Sequence, residues 1–457
     1  MKKIRFLLAL WVGKAAQLGM RILGRNATFL PGRLALKIDP NFLGGLKMAP
    51  KVIVVTGTNG KTTVSNLVAS ILKRNGYSVT NNSLGSNVQG GIAATLLEDA
   101  DLLGRSKKEV AVLEVDERSS LLVHPYIQPD FLLCNNIMRD SHRRNAHTGF
   151  ISFIINKALP EKTQVVLNGD DLICASLAPQ CKNRTYFGND AEAPQEFQEP
   201  FVKDIVYCPH CGAKLESHYL RYNHIGRMYC PQCGFGDLDR AFRVLSLDRE
   251  NQTVTISCDG KEEIFPLLND NIINIYNTCA AVALLTRFGL TADQIRKGLA
   301  GNAIVRSRFD RVVSGEHTIT MQMAKGMNPI ACTRAFHYAA SSQGQNKAVI
   351  ILIDDKRENS GDTEPVCWHY DCDYSILADS SISQVIFAGP RCKDHLLRAL
   401  IAGVPQEKIR LTPSYTGGPE VTDLEQSKDI FVLYDSYSIS EAEQIRQKLV
   451  SLTKEGK

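Results

Sequence analysis

The chain has 457 residues, of which 44% are hydrophobic and 22% are charged, and its formal net charge is +5. A chain of this length is expected to form two or three domains, each large enough to bury a core. The charge excess is small and no run of five or six like charges occurs, which argues against a general nucleic-acid-binding protein. No stretch approaches the roughly 20 apolar residues that span a bilayer.

The first 23 residues are amphipathic at a helical period. Their cations are Lys2, Lys3, Arg5, Lys14 and Arg21. The apolar run is short and no convincing small-residue cleavage site follows it, so the segment is predicted to be a helix rather than a secretory signal. Two interpretations stay open: the helix packs on the next domain, or it contacts a membrane surface.

Nine of the 13 cysteines are scattered singly among apolar or loop residues. Reduced core thiols explain this pattern better than a disulfide framework does. The sequence therefore predicts a cytoplasmic protein, with association at the inner face of the plasma membrane left open by the basic helix.

Strand and helix patterns alternate along the chain, which predicts a parallel α/β sheet. In chain order, the predicted elements are a strand at 51–55, a helix at 64–74, strands at 110–115, 131–134 and 165–168, a helix at 273–288, strands at 348–353, 385–387 and 430–434, and a helix at 440–452. The Pro- and acid-rich segment 190–202 indicates a linker into an insertion. The predicted domains are a basic helical segment at 1–48, an ATP-binding domain at 49–303 and a C-terminal α/β domain at 304–457.

A phosphate-binding loop is predicted between the first strand and the first long helix, where residues 56–63 read TGTNGKTT. Glycines let successive N–H groups face phosphates, and the helix N-terminus adds its positive end. Lys61 can reach the β- and γ-phosphates, and the Thr62 hydroxyl can bind Mg²⁺. The loop is shorter than the common P-loop, since Val55 stands where a glycine is usual. The predicted nucleotide-binding residues here are Thr58, Asn59, Gly60, Lys61, Thr62 and Thr63.

TGTNGKTT resembles the motif of the Mur ligase and folylpolyglutamate synthase superfamily, which forms amide bonds through an acyl phosphate. The resemblance implies that Glu114 binds Mg²⁺ with Thr62. It also implies nucleotide contacts from Asn274, Asn277, Arg306 and Lys325. After Asp140, the chain has Ser141 and Arg143 where the usual ligases have His and Asp, which argues against their ordinary second-metal arrangement.

Two cysteine pairs, Cys208 with Cys211 and Cys230 with Cys233, are separated by 18 residues, and a glycine follows each pair. Four thiolates at this spacing predict a closed, structural tetrahedral zinc site in an insertion at about 203–237. Two disulfides are the alternative.

A Mur-type ATPase with such a ribbon resembles the MurT branch, the synthetase subunits of lipid II isoglutaminyl synthase. The implied fold is an α/β Mur ligase-like P-loop ATPase domain with a zinc-ribbon insertion, followed by a Rossmann-like domain. The implied reaction amidates the α-carboxyl of D-glutamate in the lipid II stem peptide, with ATP and Mg²⁺. The resemblance assigns the catalytic role to Asp355, which either orients the partner's histidine or lies on the ammonia route.

No cysteine lies in the Gly-x-Cys-x-Gly setting of a class I glutaminase nucleophile, so ammonia is expected from a GatD-type glutaminase partner in a heterodimer. One alternative is a Mur or folylpolyglutamate-type ligase that adds an amino acid. The other is a nucleic-acid binder that uses the ribbon, whose aromatic and basic residues are Tyr219, Arg221, Tyr222 and Arg227.

Overall fold

The computed structural model describes residues 2–83, 86–140, 147–194, 201–268, 271–300, 309–324, 328–353 and 366–455. The chain divides into two compact units. The first comprises Met1–Met138 and Thr148–Ile304, and the second comprises Arg139–His147 and Val305–Lys457. Within the described ranges, no helix is long and apolar enough to cross a membrane.

The strands of the first unit are β1 (Lys51–Thr56), β2 (Val79–Asn81), β3 (Val110–Glu114), β4 (Phe131–Cys134), β5 (Gln164–Asn168), β6 (Arg184–Asn189), β7 (Glu216–Tyr222), β8 (Ile225–Tyr229), β9 (Phe242–Asp248), β10 (Thr253–Cys258) and β11 (Lys261–Pro266). Its helices are α1 (Lys2–Ile22), α2 (Leu30–Ile38), α3 (Phe42–Gly45), α4 (Lys61–Arg74), α5 (Gln89–Asp99), α6 (Ser120–Val123), α7 (Thr148–Ala158), α8 (Leu172–Ala175), α9 (Ile272–Phe288) and α10 (Ala292–Ala300).

A nine-stranded sheet organises the first unit, in the order β11-β10-β9-β6-β5-β4-β1-β3-β2. The seven strands from β9 to β2 run parallel, and β10 and β11 extend the sheet as antiparallel strands. Strand β1 is buried along Val52–Thr56. Its unbroken apolar run is what a parallel strand covered on both faces requires. Strands β7 and β8 form a separate hairpin.

The second unit has a six-stranded sheet in the order β12-β13-β17-β14-β15-β16, parallel except for β12. Its strands are β12 (Phe309–Ser314), β13 (His317–Met323), β14 (Lys347–Leu352), β15 (Ile382–Ala388), β16 (Ile409–Thr412) and β17 (Asp429–Tyr434). Its helices are α11 (Pro329–Ser341), α12 (Cys392–Ile401), α13 (Gly418–Val421) and α14 (Ile439–Glu455).

The α/β architecture with parallel sheets is confirmed, and each strand predicted by an apolar run is present within three residues of its expected bounds. Strand β9 and the antiparallel strands β10 and β11 were not predicted. In β9 and β10 the buried positions are interrupted by partly exposed ones, and β11 buries only Phe265, so the apolar signal of each strand is weaker than that of β1.

Candidate active site

The carboxyl ends of three parallel strands meet at one edge of the first sheet. Strand β1 lies between β3 and β4, and Val55 pairs with both Glu114 and Leu133. The chain order of the strands changes direction here, because β2 and β3 lie on one side of β1 and β4 lies on the other. Ligands of open α/β sheets bind outside the carboxyl ends at such a position. The predicted phosphate loop follows β1 at this edge.

Two glycines give the loop its shape. Gly57 and Gly60 have φ values of +117° and +84°, in the left-handed region that glycine adopts without strain. A Cβ on Gly57 would lie 2.8 Å from the carbonyl oxygen of Asn136, and one on Gly60 would overlap the side-chain oxygen of Asn277. The backbone therefore passes close to the segments after β4 and at the start of α9.

Helix α4 begins directly at Lys61, with Gly60 as its N-cap residue. In the described structure, no side chain caps this terminus. The N–H groups of the first turn consequently face outward with the positive end of the helix dipole, which is the arrangement that binds a phosphate anion. The side chains of Thr62 and Thr63 are exposed at the same turn.

The Lys61 ammonium is held between two oxygens. Its Nζ donates to the carbonyl of Gly57 and lies 2.9 Å from Oε1 of Glu117. The two side chains are 12% and 1% exposed. Burial acts against the charge on Lys61, but the Glu117 carboxylate outweighs it and raises the pKa of the lysine. Lys61 is therefore charged at neutral pH and positioned by Glu117.

Glu114, the predicted magnesium ligand, ends β3 beside the loop and is 8% exposed. Its Oε1 accepts a hydrogen bond of 2.8 Å from Nδ2 of Asn87. The side chain of Asn82 fixes the backbone of Glu114 through two hydrogen bonds: its Oδ1 accepts from the Glu114 N–H, and its Nδ2 donates to the Glu114 carbonyl. The Glu114 carboxylate is thus oriented by its neighbours.

The segment after β4, residues 135–138, holds the phosphate loop through hydrogen bonds. The N–H of Asn59 donates to Oδ1 of Asn136 at 2.9 Å, and the hydroxyl of Thr58 donates to the carbonyl of Met138 at 3.0 Å. Asn135 donates through Nδ2 to Oδ1 of Asn277 at 3.1 Å. The predicted nucleotide residues Thr58, Asn59, Gly60, Lys61 and Asn277 are therefore brought together, and Asn274 lies one turn before Asn277, accepting from its amide.

Three of the predicted site residues lie outside the described residues: Asp355, Arg306 and Lys325. Ser141 and Arg143, where the chain departs from the usual ligases, also lie outside them. Three residues of the site, Asn135, Asn136 and Glu117, were not predicted. For Glu117 the available signal was the acidic cluster of Glu114, Asp116 and Glu117 at the end of the predicted strand.

The four cysteines of the insertion lie together. Their Sγ atoms all lie within 4.8 Å of one another, the only group of three or more potential metal ligands found in the described ranges. Two of the S···S distances are 3.6 Å, between Cys208 and Cys233, and 3.4 Å, between Cys211 and Cys230. These exceed the roughly 2 Å of a disulfide. They are close to the separation of about 3.8 Å expected for sulfurs 2.3 Å from a tetrahedral zinc ion.

A buried histidine anchors the hairpin between the cysteine pairs to the rest of the first unit. Nε2 of His224 lies 3.0 Å from Oδ1 of Asp171, and its Nδ1 lies 3.7 Å from Oδ2 of Asp204. Asp171 also accepts from the N–H of Ile137 at 2.7 Å, next to the asparagines that support the loop. Burial alone would lower the pKa of His224, but the two carboxylates raise it to about 10. The imidazolium therefore links the hairpin to the segment beneath the candidate site.

We expect His224→Gln to lower the free energy of unfolding by about 3–5 kcal/mol, because two buried carboxylates lose their cation. The pKa of His224 is raised on folding, so its contribution is complete below about pH 6.5 and is lost as pH rises toward about 10. Denaturant unfolding at several pH values should show the difference between wild type and variant shrinking over this range. His218→Gln, an exposed substitution on the same hairpin, is the control and should leave stability unchanged. A difference that does not vary with pH would contradict the assignment.

The Mur ligase middle domain model matches residues 55–207, and the MurT ligase C-terminal model matches residues 326–439. The subunit MurT of lipid II isoglutaminyl synthase (glutamine-hydrolyzing) from Staphylococcus aureus strain COL is 28% identical over 87% of this chain and 88% of that protein. The MurT subunit of the same enzyme from Streptococcus pneumoniae strain ATCC BAA-255 / R6 is 29% identical over 93% of both.

Among solved structures, a pseudomurein peptide ligase type C from Methanothermus fervidus has the same fold, with a TM-score of 0.66 and 21% identity. The match covers 90% of this chain and 81% of that one. The phosphate loop, the two matched domains and the near full-length similarity lead to one conclusion. The chain is an ATP-dependent ligase that resembles the Mur ligases in its middle domain and the MurT subunits over most of its length.

Proposed function

We propose that the protein amidates the α-carboxyl of D-glutamate in the lipid II stem peptide, giving D-isoglutamine. The observation that carries this proposal is the similarity to MurT subunits over 87–93% of the chain, in a molecule whose phosphate loop is fully assembled. The alternative of an amino-acid-adding ligase shares the phosphate loop, but the departure after Asp140 favours the amidating branch.

The loop and α4 fit the triphosphate of ATP, since the helix terminus is uncapped and Lys61 is charged and positioned. The substrate carboxylate attacks the γ-phosphate in line, and Lys61 stabilises the charge on the transferred group. Magnesium, held by Thr62 and Glu114, would supply further charge neutralisation there. Arg306 and Lys325 are proposed to contribute from the C-terminal domain, 304–457. ADP leaves in this first step. Ammonia then attacks the carbonyl carbon of the acyl phosphate, so that the amide C–N bond forms as the C–O bond to phosphate breaks, and inorganic phosphate and a proton are released.

Ammonia is proposed to come from a GatD-type glutaminase subunit, since no cysteine of this chain has the setting of a glutaminase nucleophile. The heterodimer would work in the cytoplasm, at the inner face of the plasma membrane, where the lipid-linked substrate is exposed. Within the ATP-binding domain, 49–303, the four-cysteine cluster is proposed to hold one structural zinc ion. The S···S distances of 3.4 and 3.6 Å support this, and four thiolates leave no position for a substrate.

The function is tested by purifying the chain with a glutaminase of this type and supplying ATP, glutamine and lipid II. Conversion of one carboxyl to a carboxamide, followed by mass spectrometry and dependent on ATP, is the expected result. Ammonium salts should replace glutamine and the partner. Addition of an amino acid instead of ammonia would show that the protein is the alternative kind of ligase.

In the same assay, we expect Asp355→Asn to lower glutamine hydrolysis by the complex while ammonium-dependent amidation continues. A carboxylate that orients the partner's histidine affects only the glutaminase half-reaction, whereas ATP is bound by the other unit. Asp354→Asn, at the neighbouring carboxylate, is the matched control. Full glutaminase activity in the Asp355 variant would refute a shared triad and would favour a place on the ammonia route.

A further inference from the structure

Helix α1 has one face in the core and an opposite face that is apolar and uncovered. The buried residues are Phe6, Ala9, Leu10, Gly13 and Gln17. The exposed apolar side chains are Ile4 (72% exposed), Leu8 (52%), Trp11 (50%), Leu18 (61%) and Ile22 (76%). These five, called here the α1 stripe, recur three, four or seven positions apart and therefore form one line along the helix. Exposed apolar surface of this extent marks an interaction site.

The stripe cannot turn inward, because polar contacts fix the rotation of the helix. Nε2 of Gln17 donates to the carbonyl of Ala94 at 2.8 Å, and Nζ of Lys14 donates to the carbonyl of Leu97 at 2.7 Å. Both acceptors belong to α5 in the same unit. Rolling the stripe into the core would break these bonds and expose Phe6 and Leu10. The stripe is thus a stable feature of the folded surface.

A neighbouring loop extends the apolar surface beyond the helix. The indole Nε1 of Trp11 donates to the carbonyl of Leu102 at 3.1 Å. Leu102 and Leu103 are 68% and 56% exposed. A tryptophan whose ring is exposed while its N–H is satisfied suits the boundary between water and hydrocarbon.

The segment that carries the stripe is rich in cations, one of which, Arg21, pairs with Glu98 of α5 at 2.5 Å. Residues 1–38 contain eight Lys and Arg and no Asp or Glu, although the whole chain has a net charge of only +5. Lys2, Lys3 and Arg25 are exposed at the two ends of the helix. An apolar line flanked by cations matches an anionic lipid surface, where apolar side chains enter the acyl boundary and cations meet headgroups.

We propose that the α1 stripe docks on the surface of an anionic bilayer, with the helix lying in the plane of the interface. This deepens the proposed function, on which it rests, because a surface-bound enzyme meets a lipid-anchored substrate. A second copy of this chain is a poorer occupant, since pairing two stripes would bring their cations together at low dielectric.

The test is sedimentation of the full chain with vesicles of mixed phosphatidylglycerol and phosphatidylcholine, and with phosphatidylcholine alone. We expect binding to the anionic vesicles, weakened by salt, and at least about a fivefold loss of binding in the double variant L8E/L18E. The matched control is L397E, which places the same substitution at an exposed leucine of α12 (53% exposed).

Each outcome bears on the proposal. Wild-type chain that stays in solution, or an L8E/L18E variant that binds as wild type does, overturns it. Dimerisation that depends on the stripe, measured by light scattering, assigns the surface to a second copy and overturns it as well. Amidation of a detergent-solubilised substrate should be unchanged in L8E/L18E. A wild-type protein that does not amidate the solubilised substrate would instead contradict the proposed function, so the two failures are distinguishable.

Discussion

Lys61→Ala should lower ATP turnover at least about a hundredfold, because a preorganised site loses the charge that we propose stabilises the transferred phosphate. Lys73→Ala, at an exposed position in the last turn of the same helix, should turn over ATP normally. Phosphate release with substrate and ammonium present is the measurement. Near-normal product from a folded Lys61→Ala protein would contradict the assignment of the loop.

The same substitution is also expected to affect stability, through Glu117. Removing the lysine leaves a carboxylate that is 1% exposed without its cation, and breaking a buried pair costs about 3–5 kcal/mol. Protonation of Glu117 limits this loss, since burial raises the pKa of the carboxyl even against the opposing effect of Lys61. The double variant K61A/E117Q should therefore recover stability and stay inactive. That separation shows that the lost turnover comes from the missing charge rather than from unfolding.

Replacing Cys230 and Cys233 by Ser should remove one zinc ion per chain and unfold the insertion. Structural zinc contributes about 10–16 kcal/mol in small domains, comparable to the entire stability of an ordinary domain. Elemental analysis of chelator-free protein gives the metal content, and limited proteolysis should cut first within residues 201–237. Cys367→Ser, an exposed cysteine outside the cluster, is the control. Protein that contains no zinc before mutation, or an insertion that resists protease after it, would refute the site.

The sequence was informative wherever one local pattern determines one structure. The loop of residues 56–63 must turn through Gly57 and Gly60, and the strand before it and the helix after it follow from their apolar patterns. The cysteine spacing likewise brought four thiols to one place, because Gly212 and Gly234 both adopt positive φ after their pairs.

The contacts between residues far apart in the chain could not be predicted from the sequence. Glu117 lies 56 positions from Lys61, and His224 lies 53 positions from Asp171. Neither pair has a spacing rule, because the topology of the sheet brings their segments together. A buried histidine and a solvated one look the same in sequence, and only the surrounding carboxylates distinguish them.

The position of the four-cysteine insertion in the chain, between β6 and β9, limits how the protein can be shortened. Strands β6 and β9 flank the insertion and are parallel neighbours, with Phe187 opposite Phe242 and Asn189 opposite Val244. The chain must therefore travel from the carboxyl end of one strand back to the amino end of the next, which takes a crossover of about a dozen residues or more. If Asn189 were joined directly to Phe242, β9 could no longer pair with β6 in parallel, and β9, β10 and β11 would be lost from the sheet. The insertion is thus the connection itself, and any ribbon-free version of the enzyme would need a replacement crossover.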